Sequence, residues 1–210
     1  MKVFPYRLYL VISQESCAGK DWLEVLERAV LGGVDIVQLR EKTLPTKAYI
    51  AHALRAKEIL ARYDVPLIIN DNLEVAVAAQ ASGIHVGNSD MPPSLIRAQW
   101  GACGCLGYSI EYMAQLTTPE TRAADYLGVS PVFPTLTKQD TVTAWGIEGI
   151  AQIRERTEKP LVAIGGMHGW NVGEAIRAGA DCIAVVSAIC QATNPQQASF
   201  DLRNQIEKAK

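Results

Sequence analysis

Eight short apolar runs, separated by stretches of helical periodicity, restrict this chain to very few folds. The runs are LYLVIS (8–13), DIVQL (35–39), PLIIN (66–70), GIHVG (83–87), CLGYSI (105–110), YLGVSPVF (126–133), PLVAIGG (160–166) and CIAVVSAI (182–189). Nearly all lack strict alternation, as expected of strands buried on both faces of a parallel sheet. Between them, Trp22, Val25, Leu26, Ala29 and Val30 share one face at helical spacing, and Ile50, Ala53, Leu54 and Leu60 give a second. A last helix is expected from Pro195, a residue suited to a first helical turn, with Ala198, Leu202 and Ile206 as its stripe. Three helix-to-strand returns, GGVDIV (32–37), ASGIHV (81–86) and AGADCIAV (178–185), put Gly where a left-handed helix cap is wanted. Eight βα units in 210 residues predict one α/β domain over 1–210, a (β/α)8 TIM barrel. An open doubly wound sheet would give a similar string.

Hydrophobic residues make up 49% of the chain, enough for a core, and the formal charge of -2 provides no broad basic field. Nucleic acid is therefore not an expected partner, and any anion site must be local. Cys17, Cys103, Cys105, Cys182 and Cys190 are odd in number and form neither a CxxC pair nor a zinc-spaced set with His, so reduced thiols in a cytoplasmic protein are expected. Pro5 and Arg7 interrupt the first apolar stretch with no small-residue cleavage site after it, which argues against a signal peptide. No apolar run reaches the roughly 18 residues of a membrane span, so no membrane partner is expected.

Polar residues collect just after the strands, and in a barrel those positions share one rim, where active sites lie. In VSPVFPTLTK (129–138), Thr135 and Thr137 offer hydroxyl donors and Lys138 a mobile cation, on a backbone restricted by Pro131 and Pro134. A phosphate suits such a loop. Arg40 and Lys42 alternate along QLREK (38–42), so both can face the mouth, or can pair with Glu41 or another acid at a solvated strand end. Asp71 and Asp90 follow adjacent strands and suit Mg²⁺, which needs few protein carboxylates beside water and phosphate oxygens; each also suits a helix cap or turn. Gly165, Gly166 and Ser187 match a phosphate site built from the seventh and eighth loops. His52 reads as surface or packing, His85 as a satisfied buried imidazole, and His168 lies near the rim without a role. The rim holds no nucleophile with a paired base, which points to electrostatic catalysis on phosphorylated substrates.

Taken in order, QLREK (38–42), IINDN (68–72), HVGNSD (85–90), GYS (107–109), DYLGVSPVFPTLTK (125–138), VAIGG (162–166) and AVVSAI (184–189) resemble the thiamine-phosphate synthase family over nearly the whole chain. The resemblance implies a transferase that joins an aminopyrimidine methyl diphosphate to a thiazole ethyl phosphate, releasing thiamine phosphate and diphosphate. It implies that Gln38, Leu39, Arg40, Glu41, Lys42, Asn70, Ser109 and Lys138 hold the pyrimidine diphosphate, with Arg40, Lys42 and Lys138 stabilising the leaving group. It assigns Asp71 and Asp90 to Mg²⁺, and Thr135, Leu136, Thr137, Gly166, Val186 and Ser187 to the thiazole phosphate. Three residues depart from the family pattern: Asn72 for the common Arg, Asn88 for Gln and Ser130 for Gly. A thiazole tautomerase branch and a non-catalytic thiazole phosphate-binding barrel are the rival readings. The expected partners are phosphorylated small molecules, and no oligomeric state follows from the residues.

Overall fold

The eight apolar runs become eight parallel strands in a computed structural model that describes residues 4–134 and 144–210. They are β1 (Leu8–Ile12), β2 (Ile36–Leu39), β3 (Leu67–Asn70), β4 (Gly83–Val86), β5 (Cys105–Ile110), β6 (Tyr126–Val129), β7 (Leu161–Ile164) and β8 (Cys182–Val185). Each pairs with the next, and Leu8 of β1 lies opposite Ile183 of β8, so the sheet closes and the doubly wound alternative is excluded. Around it run α1 (Trp22–Leu31), α2 (Thr46–Ala61), α3 (Leu73–Ala78), α4 (Pro93–Gln99), α5 (Pro119–Ala123), α6 (Gly146–Arg154), α7 (Val172–Arg177), α8 (Ser187–Cys190) and α9 (Pro195–Lys208). Among the described residues, no helix is long and apolar enough to cross a membrane.

The missing alternation has a direct cause. Along β1, Tyr9 and Val11 point into the barrel with Ile36, Ile68, Tyr126, Val162 and Cys182, while Leu8, Leu10 and Ile12 point out against the helices. Both faces are apolar because neither meets water, and each fully buried aliphatic side chain contributes about 1.5–3 kcal/mol. Before β1, Phe4 packs on Tyr126 with ring centroids 4.9 Å apart and closes the floor of the barrel.

The helices follow local signals. Asp21 caps α1 by accepting the Leu23 N–H, and all five residues of the expected face are buried. Asn194 caps α9 with Pro195 in its first turn; Leu202 and Ile206 are buried there, joined by Ser199, while Ala198 is half-buried. In α2 the stripe is Tyr49, Ala53, Ala56 and Leu60, and Leu54 is 49% exposed, contrary to expectation. Residues 49, 53, 56 and 60 keep the i, i+4, i+7, i+11 spacing, whereas residue 54 lies about 100° from residue 53 around the axis. The Tyr49 hydroxyl fixes this orientation by donating to the Leu39 carbonyl at 2.7 Å.

Three further expectations need correction. The β6 ladder stops at Val129, before Pro131, which has no N–H to donate. The CIAVVSAI run is not one strand: β8 ends at Val185, Val186 turns the chain, and Ser187 opens α8 instead of ending a strand. Gly33 and Gly179 adopt the expected left-handed conformation (φ +106° and +111°), but in the second return, ASGIHV, that conformation falls on Gln80 (φ +50°), ahead of Gly83. Gly83 lies inside β4, where a Cβ would stand 1.9 Å from the Cys105 carbonyl oxygen.

A repeated device at the floor stood unread in the sequence. Asp35, Asp125 and Asp181 each immediately precede a strand and accept a backbone N–H from the strand before it: Leu8, Leu106 and Leu161. Arg203, Arg97 and Arg154 respectively pair with these carboxylates. The floor is thus spent on stability and the opposite rim is left for chemistry.

Candidate active site

Strands β2 to β5 deliver the polar residues to one rim. Gln38, on the inner face of β2, is 5% exposed and donates from Nε2 to the Tyr9 hydroxyl at 3.1 Å. Arg40 leaves the strand with its N–H on the Ile12 carbonyl, and its guanidinium pairs with no described residue. Lys42 forms an ion pair with Asp71 across the gap to β3. Glu41 does not pair with either cation: its carboxylate accepts the Gln14 N–H at 2.9 Å and lies 3.4 Å from His52 Nδ1. Leu39 also points away, into the core between sheet and helices.

At the end of β3, Asp71 takes a left-handed conformation (φ +63°) that Asp tolerates better than most residues. Its N–H donates to the His85 carbonyl, and Asn70 Nδ2 donates to its Oδ1 at 2.8 Å. The cap of α3 is Asn72, which accepts the Val75 N–H at 3.0 Å, so Asp71 is not the cap. Asn72 therefore does local work where the family commonly carries a cation. Asn72→Ala is expected to cost about 1 kcal/mol of stability with turnover unchanged, read from urea midpoints and steady-state rates.

Asp90 closes the 87–90 turn by accepting the Gly87 N–H at 2.7 Å, and it does not cap α4, whose cap is Pro92. Its carboxyl group also meets that of Asp71. Burial first, then this second acid, push the Asp71 carboxyl up to about 6, and Lys42 opposes the shift. Lys42 offsets the repulsion between the two carboxyl groups only in part. Asn88, the second departure, accepts from the Tyr108 hydroxyl at 2.7 Å and from Gln115, binding the β4 loop to the β5 loop.

The seventh loop packs on the sixth. A Cβ on Gly165 would lie 2.6 Å from Pro131 Cβ, and one on Gly166 2.7 Å from Phe133 Cβ, so only Gly fits here. Asn171, fully buried and unforeseen, holds this turn by donating from Nδ2 to the Gly166 carbonyl at 2.8 Å. Its only signal was a polar residue just ahead of α7. Val186 and Ser187 are half-buried at the start of α8. Ser130, the third departure, is buried and precedes a cis peptide bond to Pro131. Thr135, Leu136, Thr137 and Lys138 lie outside the described residues.

The histidines divide as read, except that His85, expected to be buried, is half-buried. His52 stacks on Trp22 with ring centroids 5.0 Å apart, and His168 stacks on Trp170 at the rim. His85 is held at both ring nitrogens, by the Tyr126 hydroxyl at 3.0 Å and the Ser109 hydroxyl at 2.9 Å.

Residues 8–189 match the family model described as thiamine monophosphate synthase. The chain belongs to the thiamine monophosphate synthase family. Thiamine-phosphate synthase of Albidiferax ferrireducens is 46% identical over 96% of this chain and 92% of its own. The protein of the same name from Shouchella clausii is 41% identical over 98% of both. Among solved structures, thiamine phosphate pyrophosphorylase from Pyrococcus furiosus superposes with a TM-score of 0.88 at 30% identity, covering 98% of this chain and 97% of that one. As a member of the thiamine monophosphate synthase family, the protein is an enzyme, a transferase of thiamine biosynthesis.

Proposed function

We propose that the protein couples an aminopyrimidine methyl diphosphate to a thiazole ethyl phosphate, giving thiamine phosphate and diphosphate. The observation that carries this reading is the meeting of Asp71, Asp90 and Lys42 at one mouth, beside Arg40. A diphosphate and a divalent cation need such a set; an isomerase of a single monophosphate has little use for it.

In this reading Asp71 and Asp90 hold Mg²⁺. The donor set fits: two hard oxygen ligands, already in contact, suit an ion that keeps water and phosphate oxygens in its remaining positions. The ion, when bound, supplies positive charge at the departing diphosphate. Arg40 and Lys42 add to that charge without reorganising as the bond breaks, and Lys138 completes the set. Gln38 and Asn70 line the pyrimidine side with Ser109, while Gly166, Val186 and Ser187, with Thr135, Leu136 and Thr137, take the thiazole phosphate. Leu39 and Glu41 contribute through their backbone.

The electron count is simple. The carbon–oxygen bond to diphosphate breaks first, its electron pair leaves on oxygen, and the aminopyrimidine ring supports the methylene cation. The thiazole nitrogen then donates its own lone pair to form the carbon–nitrogen bond. No residue need remove a proton from that nitrogen, so the Ser109 hydroxyl on His85 Nε2 (2.9 Å) is not required as a nucleophile and base, contrary to the expectation that the rim holds no such pair. Holding both rings in line supplies the rest of the advantage. A cytoplasmic location belongs to the same reading, supported by five unbridged cysteines.

Incubating the pure protein with both substrates and Mg²⁺ tests the proposal. Coupled product with released diphosphate is expected. Tautomerised thiazole alone would favour the isomerase, and binding without any product would favour a non-catalytic barrel.

A further inference from the structure

A continuous chain of hydrogen bonds crosses the interior below the mouth. Gln38 Nε2 donates to the Tyr9 hydroxyl (3.1 Å), which meets the Tyr126 hydroxyl (3.0 Å), which meets His85 Nδ1 (3.0 Å), while His85 Nε2 meets the Ser109 hydroxyl (2.9 Å). Tyr9 and Tyr126 are 1% and 0% exposed. Burial pushes both phenols well above their ordinary range, so each remains an O–H.

Donor accounting then gives the chain a direction. Tyr9 accepts from Gln38, so its own hydrogen goes to Tyr126, and the Tyr126 hydrogen goes to His85 Nδ1. The imidazole must then carry its hydrogen on Nε2 and donate to Ser109. That leaves the Ser109 hydroxyl hydrogen available to the mouth and Gln38 Oε1 as an acceptor, since no described residue bonds it. The barrel is shaped around this wire. A Cβ on Gly107 would lie 2.2 Å from His85 Nδ1 and 2.3 Å from the Tyr126 oxygen, and one on Gly128 would lie 3.0 Å from His85 Cε1. Two inward-facing strand positions have given up their side chains to admit the ring.

We propose that Tyr126, remote from solvent, is a positioning residue whose hydroxyl sets the His85 tautomer, making Ser109 a donor and Gln38 an acceptor toward the substrate. Resting on the function proposed above, this assigns a specificity. Gln38 Oε1 favours the amino group of the pyrimidine and opposes an oxo group in its place, because two carbonyl-type oxygens would then face each other unpaired. Ser109 donates to a ring nitrogen or a phosphate oxygen.

The experiment has two arms. In ¹⁵N-labelled protein, the His85 resonances, assigned by their loss in His85→Asn, should show the Nε2–H tautomer; a dominant Nδ1–H tautomer overturns the proposal without any ligand. In Tyr126→Phe, which removes one oxygen and little volume, a mixed tautomer is expected. Affinity for the aminopyrimidine methyl diphosphate should fall about tenfold and its preference over the oxo counterpart should shrink, while thiazole phosphate affinity is unchanged. An unaltered tautomer, or equal losses for both substrates, would refute it. If Tyr126→Phe fails to fold, the His85 tautomer of the parent protein decides the proposal by itself. A parent protein that bound no pyrimidine diphosphate would defeat the function proposed above and leave the tautomer to decide this proposal.

Discussion

Asp71→Ala and Asp90→Ala are each expected to lower turnover about a thousandfold, roughly 4 kcal/mol of transition-state stabilisation, while the barrel stays folded. Asp71→Asn is the sharper variant, because Asn also tolerates the left-handed conformation (φ +63°) that Ala resists. Its effect on stability has a sign opposite to its effect on rate. The Asp71 carboxyl titrates near 6 in the folded chain, above its ordinary value of 3.8. An acid whose pKa folding raises favours the folded state only below the unfolded value, and that contribution is lost as pH rises through the folded value. At neutral pH the ionised carboxylate therefore opposes folding. Asp71→Asn should melt higher than the parent at pH 7.5 without metal, and the gain should vanish below pH 4. A residue kept for structure would show the reverse. Undiminished turnover by the double alanine variant in chelator would end the metal assignment.

Gly83→Ala is expected to destabilise the protein by about 3 kcal/mol or more, the largest stability effect anticipated for a single added methyl. The added carbon would stand 1.9 Å from the Cys105 carbonyl oxygen and 2.8 Å from its carbonyl carbon. Both atoms belong to the backbone of the adjacent strand, where Gly83 is in register with Cys105. No flexible side-chain tip can yield, so β4 and β5 must part locally and strain their ladder. The control is Gly101→Ala, where nothing lies within 4 Å of the new carbon. Urea midpoints should separate the two variants clearly. A shift at Gly83 no larger than at Gly101 would show that the barrel relaxes there at little cost.

The parts of this molecule legible in the sequence are those with a local cause. A strand between two apolar layers must be apolar on both sides, so all eight strands showed themselves as runs. The rim clusters were legible because chain topology alone places every strand's exit on one side. Where a local pattern had to be oriented by a distant contact, reading failed: Tyr49 on Leu39 turns α2 and leaves Leu54 in solvent. Glu41 was read as a possible ion-pair partner of Arg40 and Lys42, but the loop after β1 and His52 hold its carboxylate. Asp71 and Asp90 were given caps and turns as rival roles, and the backbone divided them: Asn72 took the cap, while Asp90 serves its turn as well as facing Asp71. The wire from Gln38 to Ser109 draws on positions 9, 38, 85, 109 and 126, a spacing with no period. Only closure of the sheet brings them together.

The aromatic plug formed by Phe4 against Tyr126 carries a kinetic corollary. Among the described residues one end is stoppered and the bore above it is filled by side chains, which leaves a well open at the rim. For the coupling proposed above, the reactant seated deeper in that well would have to enter before its companion.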